Sequence, residues 1–337
     1  MKKLITTFLI AGCIFLTVTC TSSQPPAELI SKRPYKEVEL LTVYSPAVED
    51  NLIGEKATRY LTVYLPPDYH TSDRLYPVVY FLHGYGYSVF QMVDCAKEVL
   101  NNHFTSHPET AFILVGVDGR NKYDGSFWAN SPITGKWANH VVEEIPSLIN
   151  ANYRIKTGPK NTGIAGFSMG GFAALHLGMQ HPNKFGHIHS ISPPLYMEPI
   201  ELQAGTRMKA IICAFVPEYI LSETGNNVDP YRLKHHVDRL IPEQSVISMI
   251  DQNFGRSYLT KMVNKYSKAH NGSQRISIEY GKYDRKRFVR IGSEAFSNLL
   301  KTKGIEHELT VFDGGHAAST RIEPSFLPFF IEAFTKD

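Results

Sequence analysis

The sequence lacks the short motifs of metal, nucleotide and redox sites. It contains no His-Glu-x-x-His, no Walker loop and no Cys-x-x-Cys pair, so no zinc hydrolase, P-loop or zinc ribbon is indicated. Charge bias is also small: the formal net charge of the 337 residues is +3, and no run of Lys and Arg is long enough to make a basic stripe. We therefore expect no metal, no cofactor and no nucleic-acid partner.

Cysteine is scarce as well, with four residues in the whole chain: Cys13, Cys20, Cys95 and Cys213. The first two lie in an apolar N-terminal segment, which leaves two for the folded part. Two cysteines do not form a disulfide framework. The sequence leaves open whether Cys95 and Cys213 pair, and simple burial of both is the favoured interpretation.

The N-terminus has the pattern of an export signal. Lys2 and Lys3 precede a mostly apolar stretch at 4–18, which is shorter than a segment that spans a bilayer comfortably. We interpret residues 1–20 as a signal peptide, with an uncleaved anchor helix as the alternative. Cys13, by its local pattern, and Cys20, by its position, are both candidates for lipidation. We thus expect an exported protein, either periplasmic, secreted or attached to the cell envelope as a lipoprotein. Residues 21–36 have the composition of a linker.

From residue 37 to 337 the pattern is that of one α/β domain. The segments 37–45 and 59–65 alternate apolar and polar residues, as half-buried antiparallel strands do. Later strand candidates begin with the continuous apolar runs at 78–82 and 112–115 and alternate with helix candidates, which predicts a doubly wound, mostly parallel sheet. Pro146 is expected to kink the helix predicted at 137–150.

Residues 192–274 fit this alternation poorly. They contain helix-like stretches at 230–240 and 257–268 joined by turn-rich segments. We interpret them as a helical insertion before the last two strands, placed over the strand ends. An independent small domain is the alternative.

Ser168 is the candidate nucleophile. It is the serine of Gly166-Phe167-Ser168-Met169-Gly170, which follows a predicted strand and opens a predicted helix. That is the context of a Gly-x-Ser-x-Gly nucleophile elbow, in which the serine occupies a strained turn and the glycines avoid collision with neighbouring backbone.

A serine hydroxyl needs a base, and the base needs an orienting group. His316 follows the last predicted strand, and Asp284 follows the one before it, so both fall at the same edge of the sheet as Ser168. The order Ser, Asp, His is that of α/β-hydrolases. Asp284 could instead cap the next helix. Asp313 and Asp251 are weaker candidates for its role.

Acyl transfer also requires two N–H donors for the developing oxyanion. Met169 supplies one at the elbow, and Tyr85, in the loop after the early central strand, is the candidate for the other. His83 in the same loop is interpreted as a structural hydrogen-bonding residue rather than a second base.

Several stretches together resemble the esterase D-like group of α/β-hydrolases. These are Tyr64-Leu65-Pro66-Pro67-Asp68-Tyr69, Tyr76-Pro77-Val78, His83-Gly84, Asp118-Gly119, the segment from Asn130 to Trp137, and the run from Ala165 to Gly171. The group includes feruloyl and acetylxylan esterases of carbohydrate esterase family one, enterochelin esterases and mycolyltransferases. The resemblance implies an α/β-hydrolase fold, Ser168, Asp284 and His316 as the catalytic triad, and Tyr85 and Met169 at the oxyanion hole.

The expected function is therefore serine-dependent hydrolysis of a carboxylic ester through an acyl-enzyme, with carbohydrate esters of acetyl or feruloyl groups as expected substrates. Aromatic residues that could form a substrate wall, or equally serve as ordinary packing, are Tyr87, Tyr123, Phe127 and Trp128. Two alternatives remain. The acyl group could pass to another alcohol, as in mycolyltransferases, or the chain could be a non-catalytic carbohydrate-binding scaffold.

Overall fold

The computed structural model describes most of the chain after the predicted signal peptide. The described residues are 26–35, 38–198, 206–224, 233, 235–237, 244–270 and 272–335. The predicted signal peptide, with Cys13 and Cys20, lies outside them, as does most of the helix-like stretch at 230–240.

The described chain contains a nine-stranded mixed sheet. In chain order its strands, together with the short hairpin β6–β7, are β1 Glu28–Tyr35, β2 Val38–Tyr44, β3 Thr58–Tyr64, β4 Val78–Leu82, β5 Ile113–Val117, β6 Asn130–Ser131, β7 Gly135–Lys136, β8 Thr162–Phe167, β9 His187–Ile191, β10 Arg275–Gly281 and β11 Glu308–Phe312. The spatial order is β1-β2-β3-β5-β4-β8-β9-β10-β11.

In the nine-stranded sheet, β1, β2 and β3 pair antiparallel with their neighbours, and the remaining pairings, which run in spatial order from β5 through β4, β8, β9 and β10 to β11, are parallel. Every residue of β4, β5 and β9 is buried, because helices cover both faces of the parallel part. The predicted fold class, a mostly parallel doubly wound sheet with antiparallel N-terminal strands, is confirmed.

The prediction of a linker at 21–36 is wrong for its second half, because residues 28–35 form β1. Most side chains of this strand are exposed, so no hydrophobic pattern marked it in the sequence. Backbone pairing with β2 holds it in place, and Lys32 makes an ion pair with Glu39 at 2.7 Å. Lys32, Arg33 and Pro34 are typical of an edge strand that resists pairing with another chain.

The helices of the described residues lie in the connections between strands, except for the last, which follows β11. They are α1 Pro46–Glu49, α2 Phe90–Ser106, α3 Trp137–Asn139, α4 Ile145–Asn152, α5 Met169–Gln180, α6 Thr206–Phe215, α7 Pro217–Thr224, α8 Gln244–Asn253, α9 Arg256–Ala269, α10 Arg287–Thr302 and α11 Leu327–Thr335. A π-helical turn, His140–Glu144, links α3 to α4, whose second residue is Pro146, and a second, Ile322–Phe326, contains Pro324 and precedes α11. The wider turns accommodate prolines that lack an N–H donor.

The four helices α6 to α9 lie between β9 and β10, where the sequence predicted an insertion. Phe215 at the end of α6 and Phe254 after α8 stack at 4.6 Å between ring centroids, and both rings contact Phe172 on α5. The described part of the insertion therefore packs directly against the helix that begins after Ser168.

Cys95 and Cys213 are both free thiols, with Cys213 buried and Cys95 half-buried. Burial raises the pKa of the Cys213 thiol to about 12, which keeps it protonated and unreactive. Within the described ranges, none of the helices has both the length and the apolar character needed to cross a bilayer.

Candidate active site

Ser168 occupies a strained turn between β8 and α5. Its backbone angles are φ 53° and ψ −117°, a region that residues other than glycine rarely adopt. The flanking glycines are required by contact: a Cβ on Gly166 would lie 2.3 Å from the carbonyl oxygen of Gly170, and a Cβ on Gly170 would lie 1.9 Å from that of Leu82. The turn thus holds the serine at the carboxyl end of the central strand.

The three predicted catalytic side chains meet at this point. The Oγ atom of Ser168 lies 3.0 Å from Nε2 of His316, and Nδ1 of His316 lies 2.5 Å from Oδ2 of Asp284. His316 is in the loop after β11, and Asp284 is in the turn after β10. Because neighbouring parallel strands end at the same edge of the sheet, three distant parts of the chain converge here.

Asp284 is buried and doubly hydrogen-bonded. Its second oxygen, Oδ1, accepts the N–H of Lys286 at 2.9 Å, so the carboxylate both shapes the turn before α10 and orients His316. Burial opposes ionisation, but the hydrogen bonds from His316 and Lys286 and the charges nearby outweigh it and hold the pKa of Asp284 below its usual value.

The rival acidic residues do not occupy this position. Asp313 is exposed, and Asp251 accepts a hydrogen bond from the Ser257 hydroxyl at 2.5 Å within the insertion.

Of the two predicted oxyanion donors, Met169 directly follows Ser168, and the ring of Tyr85 lies near the Met169 side chain beside Gly125. Outside the helices and strands of the described chain, no backbone hydrogen bond uses the N–H group of Tyr85. Met169 is the first residue of α5, where a backbone N–H has no acceptor within the helix. The loop that carries Tyr85 is fixed by its neighbours: Gly84 N–H donates to the side-chain oxygen of Gln91 at 3.1 Å, and Gly86 N–H donates to the carbonyl of Asp124 at 2.9 Å. Both amides are therefore available to an incoming oxygen.

His83 is a structural residue, as predicted. Its Nε2 accepts the N–H of Gly119 at 2.9 Å, so the ring proton is on Nδ1, which donates to the carbonyl of Gly84 at 2.8 Å. The ring is buried and joins two loops beside the site. Both ring nitrogens are used, which leaves none for proton transfer.

A cleft of about 450 Å³ opens beside His316. Its lining includes Tyr87, Gln91, Arg120, Phe167 and Ser319. Tyr87 is 51% exposed, and its ring packs edge-on against Phe167, so one face is available to a ligand.

The other three aromatic residues predicted for a substrate wall lie inside the protein. Trp128 is fully buried against His83 and Gly119, and Phe127 is 2% exposed and packs between Tyr85 and Phe254. Tyr123 is buried, and its carbonyl accepts the hydroxyl of Tyr85 at 2.8 Å. The prediction of substrate contact is therefore corrected for these three. Phe127 and Trp128 adopt positive φ, which turns their rings inward and could not be read from sequence.

Sequence reasoning also missed Arg59 and Gln91. Arg59 is buried, and its Nη1 donates to the carbonyl of Arg120 at 2.9 Å. The same nitrogen lies 3.9 Å from Oδ2 of Asp118, a carboxylate that also faces the ring of His83. Arg59 acts on a loop 61 residues away, whereas Gln91 acts on Gly84, seven residues earlier, and no sequence motif marks either contact. Among the described residues, no cluster of three or more His, Cys, Asp or Glu side chains is arranged to hold a metal ion.

Curated relatives match parts of the chain. A 151-residue segment is 28% identical to the uncharacterized protein YbbA of Bacillus subtilis, covering 42% of this chain and 58% of that protein. A 140-residue segment is 31% identical to the esterase Rv1288 of Mycobacterium tuberculosis, covering 40% of this chain and 29% of that protein. The matches thus span less than two thirds of these relatives' own lengths.

The fold is also found in solved structures. A ferulic acid esterase superposes with a TM-score of 0.63 at 19% identity, covering 92% of this chain and 99% of that one. An S-formylglutathione hydrolase from Agrobacterium tumefaciens gives 0.59 at 16% identity, covering 91% and 99%. These similarities show an α/β-hydrolase fold.

The model of the Esterase family matches residues 55–333, which include Ser168, Asp284 and His316. The chain belongs to the Esterase family.

Proposed function

We propose that this protein hydrolyses carboxylic esters through an acyl-enzyme on Ser168. The observation that carries the proposal is the chain of two contacts, 3.0 Å from Ser168 Oγ to His316 Nε2 and 2.5 Å from His316 Nδ1 to buried Asp284. Asp284 keeps the proton of neutral His316 on Nδ1, so Nε2 has a free lone pair directed at the serine hydroxyl.

The reaction follows from these positions. His316 Nε2 takes the hydroxyl proton as Ser168 Oγ attacks the ester carbonyl carbon, and the negative oxygen is held by the N–H groups of Tyr85 and Met169. The tetrahedral intermediate collapses as His316 returns the proton to the leaving alcohol. Water then attacks the carbonyl carbon of the acyl-enzyme while His316 takes its proton. His316 returns this proton to Ser168 Oγ as the acid is released, which restores the free serine.

The alcohol part of the substrate is proposed to be a carbohydrate. Since His316 must reach the leaving oxygen, the leaving group lies on the side of His316, where the 450 Å³ cleft opens. The exposed ring of Tyr87 offers an apolar face, and Gln91, Arg120 and Ser319 offer both donors and acceptors. A sugar ring, with an apolar face and hydroxyl groups around its edge, matches such a lining. The structural similarity to a ferulic acid esterase supports testing feruloyl esters first.

Export is a further part of this proposal. It is supported by Lys2, Lys3 and the apolar stretch that follows. Cell fractionation and the mass of the mature N-terminus test it, and Cys20→Ala and Cys13→Ala separate the two candidate lipidation sites. A full-length chain in the soluble cytoplasmic fraction would contradict export.

The test of function compares the wild-type protein, Ser168→Ala and a control, Ser222→Ala, in which an exposed serine on α7 is changed. The substrates are methyl ferulate, acetylated xylan and a short aryl ester. We expect Ser168→Ala to fold but to lose about three orders of magnitude or more in kcat. Full turnover by this variant would contradict the proposal.

Two further measurements separate the alternatives. A fluorophosphonate probe that fails to label Ser168 in the wild-type protein would indicate a non-catalytic scaffold. Product analysis in the presence of free sugars would reveal transfer of the acyl group to an alcohol in place of water.

A further inference from the structure

A buried ion pair lies beside the loop that carries His316. Both Nε and Nη2 of Arg321 donate to Oε2 of Glu279, at 2.9 Å and 2.8 Å. Glu279 lies in β10 and is 0% exposed. Burying two charges has a large desolvation cost that an ion pair often fails to recover, so net stabilisation is a weak explanation for its presence.

Arg321 closes the His316 loop at its far end. Its N–H donates to the carbonyl of Ala318 at 2.9 Å, which forms the turn two residues after His316. Its guanidinium lies 4.4 Å from the ring centroid of Phe312, the last residue of β11 before the loop. The Arg321 side chain therefore contacts the start of the loop and the neighbouring strand, while its backbone N–H holds the turn at the end of the loop.

Glu279 is equally well connected to the rest of the site. Its carbonyl accepts the N–H of Ser192 at 2.7 Å, and it pairs across the sheet with Ile191, whose carbonyl accepts the N–H of Ser168 at 2.8 Å. Five residues further along the same chain segment lies Asp284. Glu279 thus joins the segments that bear the nucleophile, the base and the orienting carboxylate.

We infer that Glu279 and Arg321 are positioning residues that clamp the His316 loop, so that the imidazole reaches Ser168 and Asp284 at once. The inference rests on the proposed function. Its physical basis is the sensitivity of proton transfer to geometry, since a displacement of about 1 Å can reduce a rate by about 100-fold. Nε2 of His189, a buried residue, lies 3.4 Å from the other oxygen of Glu279, and its ring packs among Phe326, Phe329 and Phe330.

The test must separate positioning from stability. Arg321→Gln alone leaves a buried carboxylate unpaired and is expected to destabilise the fold. The double variant Glu279→Gln with Arg321→Gln removes both charges together, so no buried charge is left unpaired, and the paired hydrogen bonds from the guanidinium to the carboxylate are not restored. The control is Arg275→Gln, which removes an arginine on the same strand β10 that pairs with Glu308 and Glu332 at the surface.

We expect the double variant to unfold near the wild-type temperature, with kcat for a short aryl ester reduced by about 10- to 100-fold and KM unchanged. Arg321→Lys keeps the charge but not the guanidinium geometry, so its kcat should lie between that of the wild-type protein and that of the double variant. The Arg275→Gln control should retain the wild-type kcat. A double variant with wild-type kcat would overturn the inference.

A second measurement does not depend on activity. The proton shared by His316 and Asp284 should give a downfield proton NMR signal, which we expect to be lost or broadened in the double variant and retained in the control. If the wild-type protein hydrolyses no ester but shows this signal, and the double variant loses it, the proposed function fails while the clamp stands. An unchanged signal in the double variant contradicts the clamp.

Discussion

His316 and Asp284 are in hydrogen-bond contact at 2.5 Å, although 32 residues separate them in the chain. The second oxygen of Asp284 is held by the N–H of Lys286, so the carboxylate cannot rotate freely away from the imidazole. This fixed carboxylate determines which nitrogen of neutral His316 carries the proton, and thereby which nitrogen faces Ser168.

Asp284→Asn tests that relationship. An amide can present its NH₂ group to Nδ1 and so favours the tautomer in which Nε2 is protonated and cannot act as a base. We expect kcat to fall by about four orders of magnitude with little change in fold. The matched control is Asp313→Asn, an exposed carboxylate three residues from His316, which should retain most activity. Equal losses in the two variants would show that Asp284 has no special role.

Gly170→Ala should disrupt the elbow. The added Cβ would lie 1.9 Å from the carbonyl oxygen of Leu82, and backbone cannot move aside as a flexible side chain can. We expect a loss of about 1–3 kcal/mol in the free energy of unfolding, measured by chemical denaturation. Gly315→Ala, where a Cβ meets nothing within 4 Å, is the stability control and should change little. A variant of Gly170 as stable as this control would contradict the contact.

Acid should destabilise the fold through its buried carboxylates. Contacts with charged and hydrogen-bonding partners hold the pKa values of Asp118, Glu279 and Asp284 below their usual range, despite the opposing effect of burial. A lowered folded-state pKa contributes stability above the unfolded value of about 4, and this stability is lost as the pH falls through that value toward the folded pKa.

Melting temperatures between pH 7 and pH 3 measure this dependence. The double variant of Glu279 and Arg321 lacks one of the three carboxylates, so its melting temperature should fall less on acidification than that of the wild-type protein. A steeper fall in that variant would contradict the assignment for Glu279.

Tyr87→Ala tests the cleft beside His316. Loss of the exposed ring should raise KM for a feruloylated or acetylated sugar by about tenfold, while a small aryl ester is hydrolysed as before. Tyr60→Ala provides the control, because Tyr60 is also partly exposed, at 42%, but lies on β3 outside the cleft. If KM rises equally for both classes of ester, the cleft does not bind the sugar.

Much of the fold could be predicted from sequence because its signals are local. The apolar runs at 78–82 and 112–115 indicate strands covered on both sides, and they form β4 and β5. Strand β1 was missed for the complementary reason: its side chains are largely exposed, and only pairing with β2 makes it a strand.

By itself, the sequence determined the alternation of strands and helices in the parallel part of the sheet. It also singled out Ser168, Asp284 and His316 as the candidate triad, because chain order and strand ends place those residues at one edge of a parallel sheet. Only the tertiary structure decided that Trp128 is buried while Tyr87 is exposed, and that Arg321 reaches Glu279 across 42 residues. The spacing of apolar residues along a chain indicates which residues are buried in a helix or strand. It carries no information about which distant partner each will contact, and that depends on how loops turn and side chains pack.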